Sequence, residues 1–351
     1  MKALGIFRGF PGLGRVVAGV SLLEELRDNH RCEIKIISYL QGNKYLTIKG
    51  YNGLHEVISA DYCSIGLLPT NKMGVYIHNT INEFNPDVIV IDGEPLILQS
   101  IKISHPNIKI VALLNPADIE NPSNDKEAME YFNSLYSLAD LAIVHGLKAP
   151  QKFPVEYTEI IFIPTILRHE ILNLTNQPTS NIYCILGGGT VNAAYQFIES
   201  SVRIACHLTN IAKNLEGLTF HLICSSENIY NAIIENDIPQ NVRLYKGILP
   251  ASEYYVNAGA VVTRSGRNTL SELAYLGIPA ITFVTGDKYR VMEQQQNIQS
   301  LIHSNIVPLS LDSSDESILE TLRCLIFHKM QCSGEFLPGN NIAISKILSL
   351  K

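Results

Sequence analysis

Four stretches of this chain hold residues whose types and spacing suit chemistry on a phosphorylated ligand. The most structured is Arg264 to Pro279. Val261 and Val262 finish an apolar run, Ser265-Gly266 turns the chain, and Leu270, Leu273 and Ala274 recur at helical spacing until Gly277 and Pro279 stop the helix. A turn of that kind aims backbone N–H groups and the positive end of a helix at one spot, which suits a phosphate. Glu272 lies one helical turn beyond Asn268 and Thr269, on their face, where it could accept hydrogen bonds from ribose hydroxyls. An ordinary αβ unit with a solvated Glu satisfies the same pattern. The second stretch is Gly187-Gly188-Gly189-Thr190, directly after the apolar run Ile182–Leu186, where backbone amides can close on an anion. The third, Arg8 to Arg15, contains Gly12 and Gly14 between the apolar run Ala3–Phe7 and the helical pattern Val16–Leu26. In the fourth, Val88–Ile91 ends in Asp92-Gly93-Glu94-Pro95. Either carboxylate there could take a proton from a hydroxyl; alternatively Asp92 caps the next helix and Glu94 is solvated. His145, at the end of Leu141–Val144, is a reserve base or a structural histidine.

The elements that must position these residues alternate strand with helix. Apolar runs at 3–7, 33–39, 88–91, 108–114 and 141–144 read as one buried parallel set, and those at 182–186, 219–224, 242–250, 261–262 and 306–309 as another. Glu253-Tyr254-Tyr255 reads as the start of a short helix, and Glu316 to Phe327 as a longer one. The 351 residues suit two domains: 1–164, then an Asn-, Thr- and Pro-rich connector at 165–180, then 181–335, with a terminal helix at 336–351. The first glycine loop does not meet the dinucleotide fingerprint, because a third glycine is missing and the second strand ends in Tyr39 rather than an acid. NAD is disfavoured on that ground.

Composition narrows the class. Hydrophobic residues make up 46% and charged residues 17%, which suits a well-packed globular protein. The net charge of -6 comes with no dense Lys/Arg cluster, so nucleic acid is not an expected partner. Seven cysteines without CxxC spacing argue against a zinc site or a disulfide framework and for a reducing compartment. The first apolar run is too short for a signal peptide, and none later reaches transmembrane length. The expectation is a cytoplasmic protein.

Arg264 to Pro279, followed by Asp287 to Asn297 with Glu293-Gln294-Gln295-Gln296-Asn297, resembles the donor half of GT-B glycosyltransferases, in the MurG-like, family-28-type branch. That resemblance implies an α/β fold of GT-B type, two Rossmann-like domains whose parallel sheets face across a cleft. It also implies a role for each motif. The helix carrying Ser265, Gly266, Asn268, Thr269 and Glu272 would grip the ribose and phosphates, with Arg264 beside them. Glu293 and Gln294 would reach the donor sugar. Gly188, Gly189 and Thr190 would face the pyrophosphate, Leu249 would border the nucleobase, and Gly12 and Gly14 would approach acceptor and phosphate. Asp92-Gly93-Glu94-Pro95 is similar to an Asp-Phe-Glu-Pro segment of the related branch, leaving Asp92 or Glu94 as the base.

Two positions depart from the family pattern. Members of the branch end the first glycine loop in Gly-His, with the His as base or close to it; here the place is held by Arg15, which does not lose its proton at neutral pH. Arg15 could instead pair with a phosphate or an acceptor carboxylate. The usual Ala-Asp before the next strand is Ala258-Gly259.

The resemblance thus implies an inverting glycosyltransferase that takes a nucleotide-linked sugar, with UDP the expected carrier, to a small-molecule or glycan acceptor hydroxyl. No cofactor is expected, and no metal, since the chain has no Asp-Xaa-Asp triplet. Peripheral membrane contact and oligomeric state stay open. Two alternatives share the scaffold: a nucleotide-sugar hydrolase or 2-epimerase, and a glycosyltransferase-like binding subunit that has lost its base.

Overall fold

A computed structural model describes residues 1–9, 12–54, 70–186, 195–247, 249–285, 288–301, 305–327 and 336–350. The chain divides into two compact units, Met1–His169 with Pro338–Lys351, and Glu170–Leu337.

The first unit runs β1 (Lys2–Phe7), α1 (Gly14–His30), β2 (Glu33–Ile37), α2 (Gln41–Ile48), α3 (Thr70–Phe84), β3 (Val88–Asp92), α4 (Pro95–Ser104), β4 (Lys109–Leu114), α5 (Pro116–Ile119), α6 (Lys126–Tyr136), β5 (Leu141–His145) and β6 (Ile160–Ile163). All six strands pair in parallel, in the order β2-β1-β3-β4-β5-β6. Both faces are covered, so strand residues alternate between two apolar layers rather than between core and water. Val88, Val90, Val111, Leu113 and Ile143 pack with α1, while Ile89, Ile91, Ile110, Ala112 and Val144 pack with Met73, Ile77, Leu98 and Ile101. That is why β3 and β4 read as unbroken apolar runs.

Unit two follows α7 (His169–Leu172) with β7 (Asn181–Leu186), α8 (Tyr195–Ala212), β8 (Thr219–Cys224), α9 (Glu227–Ile234), β9 (Val242–Lys246), α10 (Ala251–Tyr255), β10 (Ala258–Arg264), α11 (Arg267–Leu276), β11 (Ala280–Phe283), α12 (Lys288–Gln299), β12 (Ile306–Leu309) and α13 (Asp315–Phe327). Its parallel sheet runs β12-β11-β10-β7-β8-β9. One face is apolar, with Ile182, Cys184, Phe220 and Leu222 against α8, α9 and α13. The other carries Tyr183 stacked on His221 at 4.5 Å between ring centroids.

The final helix, α14 (Asn340–Leu348), belongs to the first unit. It buries Ala343, Ile344 and Ile347, and the Asn340 amide donates to Leu167 O and Ser21 Oγ while accepting from Leu167 N. Thr165, Ile166 and Leu167 are themselves buried.

Two expectations shift in detail. Tyr255 ends the short helix α10 rather than extending it, because Val256 caps it and β10 begins at Ala258. Strands β6 and β11 were not legible as separate runs; each is four residues long and lies close to turn-forming residues.

Candidate active site

In unit one the strand ends β1 and β3 are neighbours, so the residues that follow them meet. Arg8 N–H donates to Asp92 O at 2.9 Å, continuing the ladder one step past β1. Gly93 has φ +85°, and a Cβ there would lie 2.7 Å from Arg8 Cβ and 2.8 Å from Arg15 Cδ. Only glycine accommodates both that backbone and that approach. Around this glycine two arginines meet three carboxylates.

Arg15, on the first turn of α1, binds Asp92 Oδ1 at 2.5 Å through Nη1 and Asp118 Oδ1 at 2.7 Å through Nη2. Asp92 is fully buried and the Arg15 side chain is 18% exposed. Burial works to lower the Arg15 pKa, yet the charges of Asp118 and Asp92 carry it well above its ordinary value. For Asp118, burial pushes up, but Arg15 and the Asn115 N–H hold the carboxyl below the usual range. Arg15 therefore stays cationic, and in this structure its two Nη atoms are bonded to two carboxylates of its own chain.

Glu94 is placed differently. It is the N-cap residue of α4 without a capping side-chain bond, and it is 2% exposed, so the solvated reading does not hold. Its Oε1 accepts from Tyr39 O–H at 2.5 Å and lies 3.5 Å from Arg8 Nε, while Arg8 Nη2 donates to Gly93 O. Oε2 is buried with no hydrogen-bond partner among the described residues. Burial raises the Glu94 pKa above the ordinary carboxylate value, and Arg8 and Tyr39 pull it back only in part. Asp92 does not cap α4, whose N-cap is Glu94. Gly12 and Gly14 border the same loop, Gly14 as the first residue of α1. His145 is fully buried and its Nδ1 receives Ile166 N–H at 3.3 Å.

Unit two builds its cluster around the turn between β10 and α11. Gly266 is the N-cap and brings no capping side chain, while Gly277 closes the helix at φ 66° with Ile278 N donating to Leu273 O. Helix and stop stand where the apolar spacing put them. Ser265 Oγ meets Thr282 Oγ1 at 2.9 Å, and both residues are fully buried. Asn268 and Thr269 sit half-buried on the first turn. Glu272 has no exposed surface and accepts from Tyr255 O–H at 3.2 Å, which rules out a solvated surface charge. Arg264 Nε donates to Thr285 Oγ1. Gln294 clamps the same residue: Thr285 N donates to Gln294 Oε1 at 2.7 Å and Gln294 Nε2 donates to Thr285 O at 2.6 Å. Gln294 therefore works first as a backbone brace, with its amide turned onto Thr285. Glu293 is half-exposed beside it, and Leu249 is half-buried after Gly247. Gly188, Gly189 and Thr190 lie outside the described residues.

The Gly259 departure has a steric cause. The segment before β7 runs over it, Thr179 N donating to Asn257 O, so a Cβ at 259 would lie 2.1 Å from Thr179 O. An aspartate has no room there.

Four participants were not singled out by the sequence. Arg8 reads as a loop residue, Tyr39 figured only as a non-acidic strand end, Asp118 had the Asn-Pro-Xaa-Asp spacing of a helix start as its signal, and Thr285 had none.

Residues 206–331 match the glycosyltransferase family 28 C-terminal domain. No curated protein matches the chain. Among solved structures, MurG of Acinetobacter baumannii aligns at 15% identity over 99% of this chain and 100% of its own, with a TM-score of 0.59. The UDP-GlcNAc 2-epimerase of Methanocaldococcus jannaschii aligns at 12% identity over 100% of both chains, with a TM-score of 0.60. The glycosyltransferase SnogD of Streptomyces nogalater aligns at 16% over 100% of this chain and 99% of its own, with a TM-score of 0.56. At these identities the structures speak to fold, and the family model to the donor-side motifs. The chain has the GT-B fold, and residues 206–331 of its second unit match the glycosyltransferase family 28 C-terminal domain.

Proposed function

We propose that the protein is an inverting glycosyltransferase that uses a nucleotide-linked sugar, with UDP as carrier, and needs no metal. The observation that carries this reading is that the family 28 match spans β10, α11 and α12, whose turn, buried Glu272 and Glu293-Gln294 pair make up the donor-side cluster. Charge developing on the leaving diphosphate would meet the N-terminus of α11 and Arg264. Thr285, braced by Gln294, would keep the neighbouring loop in place for the donor. The acceptor hydroxyl would lose its proton to a carboxylate of unit one; its oxygen then bonds to the anomeric carbon as the bond to the diphosphate breaks, the electron pair leaving with the nucleotide. Asp92 and Glu94 remain the two bases in view, and Arg15 orders the ground between them.

A second reading has a specific support: UDP-GlcNAc 2-epimerases lie among the structural neighbours at TM-scores of 0.59 and 0.60. One experiment separates the two. UDP-sugars are incubated with the protein in EDTA and followed by proton NMR, water serving as the slow default acceptor. The proposed reading gives UDP and a free sugar first formed with inverted anomeric configuration. A UDP-sugar epimerised at C2 would favour the epimerase, and no turnover of any donor would favour a binding subunit.

A further inference from the structure

The paired carboxylates at the end of β3 are not equivalent, and the residue that separates them lies on neither β3 nor α4. Asp92 is gripped by Arg15 through Oδ1, in an ion pair that extends to Asp118. Among the described residues Glu94 is held on its Oε1 side, by the Tyr39 phenol at 2.5 Å and by Arg8 at 3.5 Å, and none of them bonds its Oε2. A base for an acceptor hydroxyl needs a fixed carboxylate with one oxygen left to receive the proton. Glu94 has such an oxygen in Oε2, which is shut off from solvent in this structure and must be uncovered when an acceptor binds.

Tyr39 is itself fixed. Its ring is 3% exposed in the apolar layer with Ile37 and Ile91, its carbonyl accepts Gly42 N–H at 3.0 Å, and Ser38 Oγ before it binds Phe7 O at 2.8 Å. Leu40 after it adopts φ 53° and ψ -119°, a costly backbone for a side chain with a Cβ. Such strain persists only where the surroundings enforce it, and it tends to gather at functional sites.

Resting on the glycosyltransferase reading above, we propose that Tyr39 is the positioning residue for Glu94. Its O–H donates to Oε1, and this leaves Oε2 as the atom that takes the acceptor's proton. In the step so defined the acceptor O–H bond breaks and its proton goes to Oε2. The oxygen lone pair forms the bond to the anomeric carbon, the carbon–oxygen bond to the diphosphate breaks, and its pair leaves with the nucleotide. Neutral Glu94 then returns the proton to water.

The charged and titratable groups around Glu94 are Arg8 after β1, Tyr39 after β2 and Arg15 on α1, with Asp92 of β3 and Asp118 of α5 on the far side of Arg15. The Tyr39 hydrogen bond favours the charged carboxylate, so its loss makes Glu94 hold its proton to higher pH.

The test uses the full chain labelled with 13C at the glutamate carboxyl carbons. The Glu94 signal is assigned by its absence in Glu94→Gln and titrated in wild type and in Tyr39→Phe, which keeps the buried ring and so the fold. The expected result is a midpoint above the ordinary glutamate range in wild type that moves further up in Tyr39→Phe. In the donor-turnover assay the acid limb of kcat moves with it. The variant then loses about three- to tenfold of kcat at pH 6 and recovers toward pH 8, while KM for the donor is unchanged. An unmoved Glu94 midpoint in Tyr39→Phe, or a loss of kcat equal at all pH values, overturns the proposal. Should wild type turn over no donor while the midpoint still moves, the ground-state bond stands but there is no proton transfer for Tyr39 to serve. In that case both this role and the glycosyltransferase reading fall; an unmoved midpoint alone sinks only the role of Tyr39.

Discussion

Glu94 carries a conflict between stability and use. Burial in a site whose arginines and tyrosine compensate only in part makes the folded chain hold the Glu94 proton more tightly than the unfolded chain does. Between the ordinary carboxylate pKa and the raised folded value the native state therefore binds more protons, and its stability falls as pH rises. Glu94→Gln removes that charge while its amide oxygen still accepts from Tyr39. The variant is expected to unfold at a higher temperature than wild type at pH 8. The gain should shrink to nothing as pH falls toward the ordinary carboxylate range, while donor turnover drops about 10²- to 10⁴-fold. Calorimetric scans from pH 4 to 8 check it; a lower midpoint at pH 8 would mean that Arg8 compensates the charge in full. Asp118 has the opposite sign. Its lowered folded pKa adds stability above the ordinary carboxylate range, lost as pH falls through the folded value.

At the scale of elements, the cluster after β10 and β11 is held together by side chains bonding to the backbone and hydroxyl of Thr285. Gln294 on α12 satisfies both backbone groups of Thr285 just beyond β11, and Arg264 at the end of β10 reaches the Thr285 hydroxyl. Gln294→Leu would leave a buried N–H and a buried C=O unpaired at about 1–3 kcal/mol each. The expected outcome is a loss of about 2–4 kcal/mol in urea unfolding, together with weaker nucleotide binding as the loop after β11 slackens. Unchanged stability with binding alone reduced would instead return Gln294 to direct contact with the sugar, as its place in the Glu-Gln-Xaa-Xaa-Asn motif first implied.

Over the whole molecule, the parallel αβ series, the α11 stop at Gly277 and the family-28-type likeness of unit two were legible in the sequence. Each rests on local signals: continuous apolar runs, a glycine beyond the last helical residue, and a motif confined to one short segment. The Arg15–Asp92–Asp118 and Arg8–Glu94–Tyr39 groups were not legible, because they join residues far apart in sequence through the β2-β1-β3-β4 strand order, which no local pattern encodes. The same holds for Gly259, whose need for a missing side chain comes from the Thr179 carbonyl pressed against it. Among the described residues no helix is long and apolar enough to cross a membrane.

On the proposed reading this chain grips a nucleotide diphosphate through unit two without a metal. Isothermal titration of UDP into the full-length protein in EDTA, repeated with Glu272→Gln, tests it most directly. One site per chain is expected, with heat unchanged by added magnesium and affinity weakened in the variant as a ribose hydroxyl loses its anionic acceptor. No heat with UDP, or binding that appears only when magnesium is supplied, would contradict it.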